Sequence, residues 1–300
     1  MAKVLVVGLN PAWQTTLEFD ALAMGEVNRA KTTASLASGK GINTAKVLRR
    51  MGHEVWLLQI LGGGNGELCL EGCETFGIRS LVAWVDEETR SCITLLDAKT
   101  GTATEVIEPF AVSKPDLDRE LLAKLPSDPH AYDALVLCGT VPQGVSGEIY
   151  RTIIARFKPK VKVVDAWQGL DAESLLNTTC VKMNALELAA LKERVGGAFA
   201  KSDRPLFAIT AGAGEAYILQ GGQTLAYFTP PRLSGPINPI GAGDTVTAGL
   251  VHHQLIGLET PESFRRALAM GSASCIDPVP AEFSDENFQR LLPMVTMRHA

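Results

Sequence analysis

Ala134-Leu-Val-Leu-Cys138, Gly139-Thr-Val-Pro-Gln-Gly144, a helical pattern over residues 146–157, Val161-Lys-Val-Val164, a second helical pattern near residues 172–176 and Thr179-Cys-Val-Lys-Met183 follow one another without a linker. Short runs apolar at nearly every position are strands buried on both faces, and their alternation with helical segments predicts a doubly wound, mostly parallel sheet in an α/β chain. Residues 4–7, 54–61 and 205–210 read as strands of the same kind. A hairpin follows over residues 215–228, and helices follow from Thr245, over residues 261–276 and over residues 285–292.

Four segments break this pattern. Residues 13–19 alternate Gln14, Thr16 and Glu18 against Trp13, Thr15, Leu17 and Phe19, and residues 28–35, 91–96 and 102–108 also suit extended strands with one polar face. They predict a small separate sheet, a lid built from insertions at about 13–36 and 90–108 into a single domain spanning residues 1–300.

Forty-six per cent hydrophobic residues in a chain of 300 is enough for a substantial core. The 28 basic and 33 acidic residues leave no electrostatic footprint for nucleic acid or an anionic membrane, so the expected partners are small molecules or copies of the chain itself. Met1 runs directly into a strand with no signal segment, which reads as cytoplasmic. The six scattered cysteines are expected to be buried free thiols, and neither they nor the five histidines have metal-site spacing.

The candidate chemistry begins at Asn238-Pro-Ile-Gly-Ala-Gly-Asp-Thr-Val-Thr-Ala-Gly-Leu250. Gly241, Ala242 and Gly243 leave backbone N–H groups bare at the start of a buried helix, which makes an anion site. A carboxylate inside such a site suits a proton acceptor, so Asp244 is the candidate base; an ordinary helix cap would use the same residues. Ser38-Gly-Lys-Gly-Ile-Asn43 is a second glycine-rich helix start but no P-loop, because residue 34 is alanine and Gly41 follows Lys40. The glycines from Gly62 miss the dinucleotide spacing at Glu67, which rejects a Rossmann oxidoreductase. Asn184-Ala-Leu-Glu187 opens a helix and is explained by a capping box without any function. Thr210-Ala-Gly-Ala-Gly214, at a strand's carboxyl end, suits either a phosphate or a tight turn.

Together these residues resemble the ribokinase-like sugar kinases, in particular the phosphofructokinase B branch that contains 1-phosphofructokinase and tagatose-6-phosphate kinase. The resemblance covers essentially the whole chain. It rests on Asn10-Pro-Ala12, Gly25-Glu-Val-Asn-Arg29, Gly39-Lys-Gly-Ile-Asn43, Thr89-Arg90, Gly139-Thr-Val-Pro-Gln-Gly144, Asn184-Ala-Leu-Glu187 and Asn238-Pro-Ile-Gly-Ala-Gly-Asp244, in that order.

The resemblance implies a three-layer α/β/α body with a β-sheet lid that also makes a homodimer, and transfer of the γ-phosphoryl of ATP to a hydroxyl of a phosphorylated ketohexose. It implies that Asp244 takes the proton while the Gly241, Ala242 and Gly243 amides hold the developing charge. Asn184 and Glu187 would order Mg²⁺ through water, with Lys182, Thr210 and Gly212 flanking the same phosphates. Gly39, Lys40 and Asn43 would hold the acceptor, and Arg90 would pair with the phosphate it carries. Gln14 stands where the family usually has an aspartate that grips sugar hydroxyls, and the second glycine after Thr210 falls one position early. A kinase of an unphosphorylated sugar or nucleoside, and a catalytically weak sugar-binding or regulatory protein, are the alternatives on the same fold.

Overall fold

The computed structural model describes residues 1–196, 203–234 and 237–300. In chain order, β1 (Lys3–Val7) enters a large sheet, and β2 (Ala12–Phe19) and β3 (Thr32–Ser38) leave it for a small one. α1 (Lys40–Arg50), β4 (Glu54–Gly62), α2 (Gly63–Thr75) and β5 (Arg79–Val85) return to the large sheet, after which β6 (Ser91–Asp97) and β7 (Thr102–Ile107) complete the small one. The second half runs through α3 (Leu117–Ala123), β8 (Ala134–Cys138), α4 (Glu148–Arg156), β9 (Val161–Asp165), α5 (Ala172–Leu176), β10 (Cys180–Asn184), α6 (Ala185–Val195) and β11 (Leu206–Thr210). The hairpin β12 (Ala216–Gln220) and β13 (Gln223–Thr229), then α7 (Ala242–Leu255), α8 (Thr260–Ser274), α9 (Asp285–Leu291) and β14 (Thr296–His299) close it.

The large sheet has the order β14-β13-β12-β11-β10-β9-β8-β1-β4-β5 and is parallel from β11 to β5. Its parallel strands β1, β8 and β9 are apolar almost throughout because helices cover both faces: one core joins α1, α2, α7 and α8 to one side, the other joins α3 to α6 to the opposite side. β1 pairs with β4 on one flank and β8 on the other, so the winding direction reverses between β1 and β8. In an open α/β sheet the crevice beyond the carboxyl ends at such a reversal is where a ligand fits. The small sheet, ordered β3-β2-β6-β7, stands over that end, with its β2–β6 pair parallel and the outer pairs antiparallel.

Several boundaries differ from the sequence reading, each for a local reason. β3 begins at Thr32 instead of Asn28, because the Asn28 amide bonds both the N–H and the carbonyl of Ala23 and closes a turn. α2 begins at Gly63, within the glycines after Gly62, although glycine is a poor helix former. Glu88 Oε1 accepts from the Asn65 N–H at 2.6 Å and satisfies a bare amide of that first turn, while Gly62 before it must be glycine because a Cβ there would lie 2.0 Å from the Glu87 carbonyl. β5, α3 and β14 carry too weak a pattern to be read, β5 being half-exposed, α3 a short helix entered through left-handed Asp116, and β14 exposed at every residue. Among the described residues no helix is long and apolar enough to cross a membrane.

Candidate active site

Two helix N-termini converge on the crevice. Gly39 caps α1 at φ 102, packed so closely that a Cβ there would meet Pro11 Cα at 3.0 Å. Gly241 caps α7 at φ 76, where a Cβ would lie 2.7 Å from the Ala281 amide nitrogen. Glycine is required at both on grounds of backbone conformation and space. The bare amides and aligned dipoles of both ends favour negative charge between them.

The crevice is a cavity of about 470 Å³ whose lining includes Asn10, Gln14, Gly39, Lys40, Asn43, Arg90, Asp165, Glu187, Gly241, Gly243 and Asp244. The expected acceptor residues and the expected base therefore share one space. Ala242, Lys182, Asn184, Thr210 and Gly212 are not part of the lining, and the Ala242 N–H, expected to be bare, instead closes the turn by donating to the Pro239 carbonyl at 3.2 Å. Of these, Lys182 stands directly behind the anion turn, where a Cβ on Gly243 would meet its Nζ at 3.1 Å. Asn184 and Glu187 form the capping box read from their spacing, at 2.9 Å in each direction. Asn184 and Thr210 are paired across β10 and β11 at the strands' carboxyl ends, and Gly212 turns the chain beyond them at φ 58.

Asp244 lies in the first turn of α7, buried, and accepts from Asn43 Nδ2 at 2.8 Å. It is no cap: Gly241 occupies that position and no side chain caps the helix. Burial, and then the neighbouring Asp165 carboxylate, raise its pKa above the usual aspartate value, against the opposing pull of Lys40, the Asn43 amide and Lys182. A carboxylate with raised basicity, facing a cavity and held by one amide, is suited to accept a proton.

Asp165 is the residue that sequence reading missed. It ends β9 buried, with Oδ1 3.0 Å from Lys40 Nζ, Oδ2 2.9 Å from Lys182 Nζ and 2.7 Å from Thr247 Oγ1. Burial alone would raise its pKa, but Lys182, Lys40 and the Thr247 hydroxyl outweigh that and hold it well below the carboxylate range. The Asp165 charge in turn raises the pKa of Lys40, against burial. An aspartate closing the buried strand Val161-Lys-Val-Val-Asp165, directly after its apolar Val163-Val164, was the available signal.

Lys40 is thus anchored to Asp165 and lies 3.7 Å from Glu187 Oε1, between the two halves of the cavity. Arg90 donates Nε to the Pro11 carbonyl at 3.3 Å and Nη2 to the Asn10 carbonyl at 3.1 Å, which orients the guanidinium and leaves further donors for a ligand. Gln14 Nε2 donates to Thr94 Oγ1 at 2.8 Å and leans on the Thr15 carbonyl at 3.4 Å, so its Oε1 is the atom left to accept. Thr94 and Glu105, the latter in the cavity lining, were also not singled out from the sequence.

For a divalent cation the donor set is sparse. Among the described residues no three His, Cys, Asp or Glu side chains are grouped to hold a metal, and both oxygens of Asp165 are taken by lysines. Glu187 uses Oε2 in its capping box and keeps Oε1 towards Lys40. That one oxygen fits a hydrated Mg²⁺, which keeps most of its waters and takes phosphate oxygens.

Residues 1–283 match the pfkB family of carbohydrate kinases. The chain is 28% identical over 299 residues to a 1-phosphofructokinase of Rhodobacter capsulatus, covering 92% of each chain. It is 24% identical over 307 residues to a tagatose-6-phosphate kinase of Staphylococcus epidermidis, covering 97% of this chain and 98% of the other. Its fold matches the crystal structure of a possible 1-phosphofructokinase of Thermotoga maritima with a TM-score of 0.81 at 19% identity, covering 99% of both chains. The mostly parallel large sheet with its separate small sheet is a ribokinase-like fold. This chain belongs to the pfkB family of carbohydrate kinases and is an ATP-dependent sugar kinase.

Proposed function

We propose that the protein transfers the γ-phosphoryl group of MgATP to a hydroxyl of a phosphorylated ketohexose, of the fructose-1-phosphate or tagatose-6-phosphate type. The observation that carries this reading is that Arg90, an oriented guanidinium suited to a phosphate, lines the same cavity as buried Asp244. The names of the curated relatives agree with it.

In this reading the acceptor's phosphate meets Arg90, its hydroxyls meet Gln14 Oε1 and Asn43, and the attacking hydroxyl gives its proton to Asp244. Gly39 and Lys40 bound the acceptor end, and Lys40, fixed by Asp165, supplies positive charge between acceptor and donor. The amides at Gly241 and Gly243 face the charge on the transferred group, backed by Lys182, while Ala242 shapes the turn with its own N–H on the Pro239 carbonyl. Lys182, Asn184, Glu187, Thr210 and Gly212 make the nucleotide side, where Mg²⁺ would neutralise phosphate charge next to Glu187. Phosphoryl transfer asks little covalent chemistry of the protein, so alignment and electrostatics carry the rate. The small sheet acts as the lid of one domain and as the face of a homodimer.

The test is ATP consumption across sugars, sugar phosphates and nucleosides, with and without Mg²⁺. Turnover on a ketohexose phosphate exceeding the free sugar by at least about tenfold supports the reading, and efficient turnover of a free sugar or nucleoside alone replaces it.

A further inference from the structure

Lys46 has no part in the site as described so far, yet it is the most expensive residue on α1 to bury. It is 3% exposed. Burial lowers its pKa, with Glu282 the largest opposing influence. An ammonium so desolvated needs compensation. It finds the Pro280 carbonyl at 3.3 Å, Glu282 Oε1 at 3.8 Å and the Phe76 ring, whose centroid is 4.7 Å away. Two of these three partners lie on one segment, residues 275–282.

That segment is the wall of the anion turn. Asn238 N donates to the Cys275 carbonyl at 2.8 Å and Asn238 Nδ2 to the Pro278 carbonyl at 2.9 Å. Ala281, buried and left-handed at φ 59, abuts Gly241 so closely that no side chain fits between them. A non-glycine residue in that conformation stores strain and must be held by its surroundings. Lys46 holds its neighbours on either side, Pro280 and Glu282. Three residues earlier on the same face of α1, Asn43 holds Asp244 itself.

We infer that Lys46 is a positioning residue for phosphoryl transfer: its ammonium, bound to Pro280 and Glu282, fixes the Ala281 wall and so the Gly241–Gly243 amides relative to Asp244. This rests on the anion turn and Asp244 being the reacting end of the cavity. One helix then sets both parts of that end, the base through Asn43 and the amides through Lys46.

The test compares Lys46→Met, which keeps length and apolar packing and removes the charge, with Lys46→Arg, which keeps the charge, and with Asp244→Asn as a reference. A displaced anion turn lowers kcat of Lys46→Met by about tenfold or more, with KM for ATP and acceptor within about twofold. Lys46→Arg recovers most of the loss. Turnover is expressed per ATP-binding site, so that partial unfolding does not mimic the effect. If Lys46→Met keeps its kcat, raises both KM values instead, or is matched in its loss by Lys46→Arg, the inference is overturned. If Asp244→Asn itself retains wild-type turnover, the reading of the reacting end fails instead, whatever Lys46 does.

Discussion

Asn43 Nδ2 lies 2.8 Å from Asp244 Oδ2, joining the second turn region of α1 to the first turn of α7 across 201 residues of sequence. Both groups are buried, and this amide is the side-chain hydrogen bond that opposes the rise in the Asp244 pKa. Asp244→Asn, which keeps shape and removes basicity, is expected to lower kcat by about 10²–10⁴-fold while ATP affinity stays nearly intact, measured by steady-state kinetics and nucleotide titration. Near wild-type turnover would remove Asp244 as the base.

Asn43→Ala separates the amide from the carboxylate it serves. Without the hydrogen bond the Asp244 pKa rises further, so the ionised, proton-accepting form is reached only at higher pH. The acid limb of the kcat/KM profile is expected to move towards alkaline pH by about one to two pH units, the worth of a charge-assisted bond of about 1.5–3 kcal/mol. An unmoved acid limb would mean that this limb does not report Asp244.

Arg90→Ala tests the acceptor's phosphate. Losing a hydrogen-bonded charge pair of about 1.5–3 kcal/mol should raise KM for the sugar phosphate roughly ten- to a hundredfold. Any weak activity on the corresponding free sugar should hardly change, because that molecule has no phosphate to lose. Equal losses on both would show that Arg90 acts through the Asn10 and Pro11 carbonyls it braces.

The histidines give a pH dependence of stability. Burial, reinforced by neighbouring His252, lowers His53 and His253 to about 4, and His53 Nε2 shares one 3.0 Å hydrogen bond with His252 Nδ1. Their folded pKa values lie below the ordinary value of 6.5, so the unfolded chain binds protons that the folded one does not. Their stabilisation is complete above about pH 6.5 and falls as pH drops towards 4. Thermal unfolding should show Tm falling over that window, less steeply in His53→Phe than in the wild type. Identical slopes would exclude His53 from the effect.

The body and the lid were legible because their strands bury different numbers of faces: the all-apolar β8 and the alternating β2 give distinct periods. The candidate site was legible where local composition marks a helix start, as in the glycines before Asp244 and the Asn184–Glu187 spacing. Asp165 was not, because its meaning comes from Lys40, 125 residues away, and from Lys182 and Thr247 on two other elements. Lys46 was not singled out for the same reason: the loop that buries it lies 234 residues further on. The pairing of His53 with His252 joins α1's end to α7 and leaves no local trace in the sequence either.

The lid has apolar side chains without cover in one copy of the chain. Val106 on β7 is 51% exposed, and Met24 and Val27 in the turn between β2 and β3 are exposed further still, whereas Ile107, on the opposite face of β7, lines the cavity. Apolar side chains beside a free sheet edge favour burial against a second copy. Light scattering at micromolar concentration should give at least a dimer, and Val106→Asp, on the face of β7 turned away from the cavity, should dissociate it. A wild-type monomer would remove the lid as an interface.

In the proposed function Gln14 Oε1 meets a hydroxyl of the acceptor, which makes Gln14 the residue to test for specificity. Its amide group is spent on Thr94 and the Thr15 carbonyl, so towards a ligand it offers a neutral acceptor. Gln14→Asp shortens the side chain by one methylene, replaces that acceptor by a charged one and removes the donor to Thr94. The Thr94 hydroxyl can reverse and donate, which keeps the buried carboxylate partnered. Hydrogen bonds from sugar hydroxyls then become charge-assisted and are strengthened only where the hydroxyl points at the shortened group. The expected outcome is a change of about tenfold or more in the ratio of kcat/KM between epimeric ketohexose phosphates, with turnover retained on at least one. Equal losses on every epimer would mean that Gln14 shapes the lid without touching the hydroxyl that distinguishes them.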